Sequence, residues 1–81
     1  MFYPEICDRY TAILLKQPAD AKETGASHLL WMLSELQNDY SGMSETKRHR
    51  WLGYIQGVMV MKGLITVDDE RTVTRPIFNG A

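Results

Sequence analysis

Apolar side chains recur at helical spacing along almost the whole chain, and most densely in "ETKRHRWLGYIQGVMVMKG", residues 45–63. At about 100° per residue, Trp51, Leu52, Ile55, Val58 and Met59 fall on one side of a helix, and Arg50, Gly53, Gly57, Val60 and Met61 lie around the other. A helix that is apolar around most of its circumference has two surfaces to bury. The pattern therefore predicts either a central helix sandwiched by its neighbours or one that pairs between subunits. Ser44 is the expected N-cap, Glu45 suits the positive end of the dipole, and Gly63 follows as a C′ residue.

Two more helices are expected upstream. Pro4 fits a first helical turn because its missing N–H has no partner there anyway. Beyond it Ile6, Tyr10, Ile13 and Leu14 share one face, Glu5, Asp8, Arg9, Ala12 and Lys16 share the other, and Pro18 marks the end. In the second helix Ala26, Leu29, Leu30, Leu33 and Leu36 form one broad core-facing stripe, with Asp20, Thr24 and Ser27 as competing caps. Trp31 falls on the opposite side, near His28 and Glu35, where contact with the N-terminal segment is the simplest explanation. "NDYSGMSETK" reads as the turn into the third helix.

The last element is "LITVDDERTVTRPIFNGA". Thr66 followed by Asp69 resembles a capping box, and Asp68, Asp69 and Glu70 load a first turn with negative charge. A residue before proline is steered away from helix, so this segment is expected to stop by Arg75 and leave "PIFNGA" extended. A short strand over 64–67 or 71–75 is the competing assignment. The whole predicts an all-α fold: a small bundle of three main helices plus a short C-terminal helix and extended tail, in a single small helical domain over residues 1–81.

Composition narrows the function. At 81 residues with 44% hydrophobic side chains, the chain sits near the size at which one core suffices, so pairing of subunits is expected to supply further burial. The formal net charge of −1 provides no general basic field, and nucleic acid is not favoured. The single Cys7 cannot form an internal disulfide, no apolar run approaches the roughly 20 residues that cross a bilayer, and "MFYPEICDRY" lacks the regions of a signal peptide. A soluble protein of a reducing cytoplasm, with no membrane partner, is the expectation.

No catalytic chemistry is apparent. Cys7, His28 and His49 stand far apart with no metal-ligand spacing, nothing near Cys7 activates its thiol, no glycine-rich phosphate loop is present, and the acidic run at 68–70 is explained by helix electrostatics. The reading is a non-enzyme with no catalytic residue, metal or cofactor. Two anomalies remain. Gly53 and Gly57 each cost a helix interior about 1 kcal/mol relative to alanine, which argues for a backbone close by. That backbone belongs either to another helix of the chain or to a self-association seam made by Gly53, Gly57, Val60, Met61 and Trp31. Lys47, Arg48 and Arg50 oppose the dipole in the opening turns. They either form ion pairs, for example with the acidic run, or make with Tyr54 a partner- or anion-binding site, where Arg50 and Tyr54 offer charge and a stacking surface.

The stretches "HLLWMLSELQ" and "KRHRWLGYIQGVMVMKGLITVDDERTVTRPIF", with "RWLGYIQG" and "TRPIF" as the most specific words, resemble a group of short helical accessory proteins encoded by tailed phages and enterobacterial prophages. The resemblance covers roughly the C-terminal two-thirds of the chain and carries over no catalytic residues. It implies a small protein made during infection that binds a host protein, a phage component or itself, in the host cytoplasm. The best reading is a homo-oligomeric protein-binding accessory protein; the alternative is a binder of an anionic small ligand or nucleic acid at the basic start of the third helix.

Overall fold

A computed structural model describes residues 2–79. It contains four helices: α1 (Pro4–Leu14), α2 (Ala26–Leu36), α3 (Glu45–Met61) and α4 (Val67–Asn79), and no strand among the described residues. The expected all-α bundle is the observed one, and helix is the outcome for the contested C-terminal segment from Val67 onward. α2 packs against both α1 and α3. The molecule is a flattened slab of 34 × 32 × 18 Å.

The core faces follow the sequence pattern. Ile6, Cys7, Tyr10 and Leu14 are buried from α1; Ala26, Leu29, Met32, Leu33 and Leu36 from α2; Leu52, Ile55, Val58 and Met59 from α3. Phe2 and Ile65 close the cluster from outside the helices. Outward along α3 lie Arg50, Gly53, Tyr54, Gly57 and Met61, all exposed, so the second surface of this helix is not covered by its own chain.

Local chemistry sets the ends. The Ser44 hydroxyl accepts the Lys47 N–H at 3.1 Å, as an N-cap does. At the other end Gly63 takes φ 74°, its N–H reaches the Val60 carbonyl at 3.0 Å, and the Leu64 N–H reaches Met59 at 2.9 Å. These are the paired bonds of a Schellman stop. Thr66 forms its half of the capping box by accepting the Asp69 N–H at 3.1 Å.

Two expectations are corrected. None of Asp20, Thr24 or Ser27 is the N-cap of α2: Gly25 is, with no side-chain cap. The chain folds back so that the Asp20 carbonyl accepts the Ser27 N–H at 3.1 Å while the Ser27 hydroxyl accepts the Asp20 N–H at 3.1 Å. Asp20 thus caps the helix from a distance, and a Cβ at residue 25 would lie 2.2 Å from its carbonyl oxygen. Nor does the last helix stop at Arg75 to leave an extended tail. α4 runs through Pro76 to Asn79, and residues 80–81 of the expected tail lie outside the described residues.

The reason is tertiary. Thr74 is buried, Ile77 packs against the core, and the Phe78 ring meets Tyr3 edge-on at 4.8 Å, so three positions at helical spacing hold the turn that proline disfavours. Tyr3 itself is held at φ 38°, a left-handed conformation, among the rings of Phe2, His49 and Phe78.

A buried polar network joins three helices beneath. The Tyr10 hydroxyl donates to Glu70 Oε1 at 2.5 Å and accepts from Gln56 Nε2 at 3.0 Å, while Arg9 pairs with Glu70 Oε2. Arg9 is therefore not a purely solvent-facing charge of α1.

Burial pushes the Cys7 thiol up to about 11, against a hydrogen bond to Gln37 that lowers it and with a smaller push from Asp8. The core accepts the neutral thiol, so its stabilising contribution is complete below the unfolded value of 9.0 and is lost as pH rises to about 11. Tyr10, raised mainly by burial and then by its bond to Glu70, extends the loss to higher pH. Urea unfolding across that window is expected to show falling stability, with a shallower fall in Cys7→Ala; equal slopes would contradict the burial argument. In the same assay Gly25→Ala should cost more than about 1 kcal/mol because the Asp20 backbone must shift, whereas Gly53→Ala should stabilise the folded monomer by about 0.5–1 kcal/mol through helix propensity.

Candidate functional site

The three cations that open α3 have separate fates. Arg48 is only 6% exposed. Its guanidinium donates to the carbonyls of Leu36 at 2.6 Å, Asn38 at 3.3 Å and Met43 at 3.3 Å, and to the Ser41 hydroxyl at 3.1 Å. The C-terminal carbonyls of a helix lack intrahelical donors and carry partial negative charge. A cation that disfavours its own helix start thus stabilises the end of α2, and Arg48 leaves the expected anion site for the interior.

Lys47 lies over the Trp51 ring, its Nζ 5.4 Å from the centroid. Arg50 is exposed and lines a cleft. None of Lys47, Arg48 and Arg50 pairs with the acidic run: Glu70 is taken by Arg9, and among the described residues no carboxylate lies within 4.0 Å of Lys47 or Arg50.

The cleft between α2 and α3 has a volume of about 460 Å³ and is lined by Glu23, His28, Trp31, Met32, Arg50, Trp51 and Tyr54. Trp31 and Trp51 stand 5.7 Å apart between ring centroids, with His28 5.6 Å from Trp31. Trp31 remains 51% exposed and Tyr54 41%. The Tyr54 hydroxyl donates to the Glu23 carbonyl at 2.9 Å, which ties the α1–α2 loop to α3 and makes it the end wall of the cleft.

Helix phase explains the gathering. His28, Trp31 and Met32 are three and four residues apart on α2, as are Lys47, Arg50, Trp51 and Tyr54 on α3, so each set forms a stripe flanking its core face. Trp31 is explained by Trp51, not by the N-terminal segment. Periodicity put Trp51 on the core face of α3 and Trp31 opposite the stripe of α2; His28 and Met32 were not singled out as groove residues, and the available signal was one tryptophan in each of two consecutive helices.

The expected seam residues do not share one site. Trp31 belongs to the α2–α3 cleft, whereas Gly57 and Val60 line a second one between α3 and α4, of about 380 Å³, with Gln56, Val67, Arg71 and Phe78. Gly53 lies on the ridge of α3, and a Cβ at residue 53 or 57 would meet nothing within 4 Å. Packing against a helix of the same chain is therefore not what these glycines serve. Met61 is 73% exposed farther along the same outer face.

Among the described residues no three His, Cys, Asp or Glu side chains are grouped to hold a metal ion, and no helix is long and apolar enough to cross a membrane. Comparison with known proteins finds no matching family model, no curated protein and no solved structure.

Arg48 and Arg50 sit two residues apart and predict opposite outcomes. Arg48→Met leaves several carbonyls without a donor at the end of α2 and should cost about 3 kcal/mol in urea unfolding. Arg50→Met should stay within about 0.5 kcal/mol of the parent.

Proposed function

We propose that this protein is a non-enzymatic binding module that docks a partner protein in the cleft between α2 and α3. The observation that carries the reading is the cluster of Trp31, Trp51, Tyr54 and Arg50 along one accessible surface. Tryptophan, tyrosine and arginine are the residue types that dominate binding energy at protein interfaces, because they bring large rigid contact area together with a polar handle. The resemblance of the C-terminal two-thirds to small phage and prophage accessory proteins makes a host or phage protein in the host cytoplasm the proposed partner.

Self-association on the outer face of α3 is a second part of the proposal. There Gly53 and Gly57 leave the backbone bare beside exposed Met61 and half-buried Val60. Light scattering over a concentration series should give a multiple of 9.3 kDa; a mass fixed at the monomer value would remove this part. The alternative of an anionic small ligand or nucleic acid at the start of α3 is weakened by the loss of Arg48 to the end of α2.

A photo-crosslinking residue in place of His28 should capture a defined protein in cells, and Trp31→Ala or Arg50→Glu should abolish that product without lowering the melting temperature. A crosslinker in place of Asp8, on the exposed face of α1, should capture nothing comparable. Products insensitive to both substitutions would contradict the proposal.

A further inference from the structure

The first three helices each bury four or five side chains of the apolar core, and the fourth contributes none. Over residues 67–78 of α4 the buried side chains are Glu70 and Thr74, both polar. Ile77 is half-buried, while Val67, Val73 and Phe78 remain 54%, 37% and 42% exposed. Apolar burial is what makes a helix costly to detach, and a helix of 13 residues has little stability of its own in water. Pro76 lowers it further by supplying no N–H to the helix.

The attachment is concentrated at one side chain. Glu70 accepts from the Tyr10 hydroxyl at 2.5 Å and pairs with Arg9, which puts both of its oxygens on α1, and Gln56 of α3 donates to the same hydroxyl at 3.0 Å. Thr74 turns its hydroxyl back to the Glu70 carbonyl within α4. Farther along, Ile77 and the edge-on contact of Phe78 with Tyr3 secure the end. Just before the helix, Ile65 is 6% exposed and pins the chain to the core, so Thr66 is the natural pivot.

We infer that α4 is a flap: it opens as a unit about Thr66 while α1, α2 and α3 stay folded, and Glu70 is its catch. The core survives the opening because it is built from the first three helices with Phe2 and Ile65. One consequence concerns the outer face of α3. Val67, Arg71 and Phe78 form the α4 wall of the cleft in which Gly57 and Val60 lie, so opening widens access to that face. No residue of α4 lines the α2–α3 cleft, which is left intact. The flap thus controls how much of α3 is offered for self-association; this consequence rests on the association proposed above, whereas the opening itself does not.

Residue-resolved hydrogen exchange of the full chain in a series of low urea concentrations tests the opening. The α4 amides from Arg71 onward should share one protection level and a small urea slope, both below those of Leu33 and Ile55. Glu70→Gln should speed α4 exchange by about tenfold, and Arg9→Met should act in the same direction. Ile55→Val, which weakens the bundle alone, should speed exchange at Leu33 by roughly fivefold and leave α4 exchange unchanged. In light scattering the association midpoint of Glu70→Gln should move to lower protein concentration.

Protection and urea slope in α4 equal to those at Leu33 would overturn the flap, since α4 would then open only with the whole fold. Exchange in α4 unmoved by both Glu70→Gln and Arg9→Met would overturn the catch. Faster α4 exchange with an unmoved midpoint would overturn the control of association while leaving the flap in place, and a parent that stays monomeric would remove the association itself with the same effect.

Discussion

The Arg48 guanidinium is the interaction on which the useful part of this structure depends. It collects acceptors at residues 36, 38, 41 and 43, which are the end of α2 and the turn that leads into α3. A turn held by one planar cation with several donors has little freedom to reorient. These bonds hold the end of α2 against the start of α3, the two helices that carry Trp31 and Trp51. A change at this buried position would therefore be felt at a surface only one to two turns away along both helices.

The fourth helix is attached by a different logic. Its contact with the bundle is a short row of positions, Glu70, Thr74, Ile77 and Phe78, of which only the last two are apolar. Glu70 is drawn in by Tyr10 and Arg9, and Thr74 returns its hydroxyl to the Glu70 carbonyl at 2.7 Å. Buried polar groups without partners are costly, so the satisfied network favours one seating of α4 over others. Together with the aromatic contact to Tyr3, that seating explains why the helix persists through Pro76.

Much of this architecture was legible in the sequence because it follows from periodicity and end chemistry. The stripes of α1, α2 and α3, the Ser44 cap, the Gly63 stop and the Thr66 cap all depend on residues within a few positions of one another. What was not legible depends on distant residues. The start of α2 at Gly25 with the Ser27 N–H held by the distant Asp20 carbonyl, Phe78 anchoring the turn after Pro76, and the set of carbonyls that receives the Arg48 guanidinium are tertiary arrangements that local preference opposes or ignores. The site shows the same division. Arg50, Tyr54 and Trp31 were visible as residues without an obvious local task, but their meeting with Trp51 in one cleft required the relative placement of two helices.

The docking role proposed for the α2–α3 cleft requires that its rings be covered when the partner is present. Hydroxyl-radical footprinting of the chain in living cells, compared with the purified protein, tests it most directly, with Tyr40, 96% exposed and outside the lining of the cleft, as the internal reference. Oxidation of Trp31 and Tyr54 should fall in cells while oxidation of Tyr40 does not. Equal oxidation of Trp31 in both settings, or protection confined to Tyr40, would contradict it.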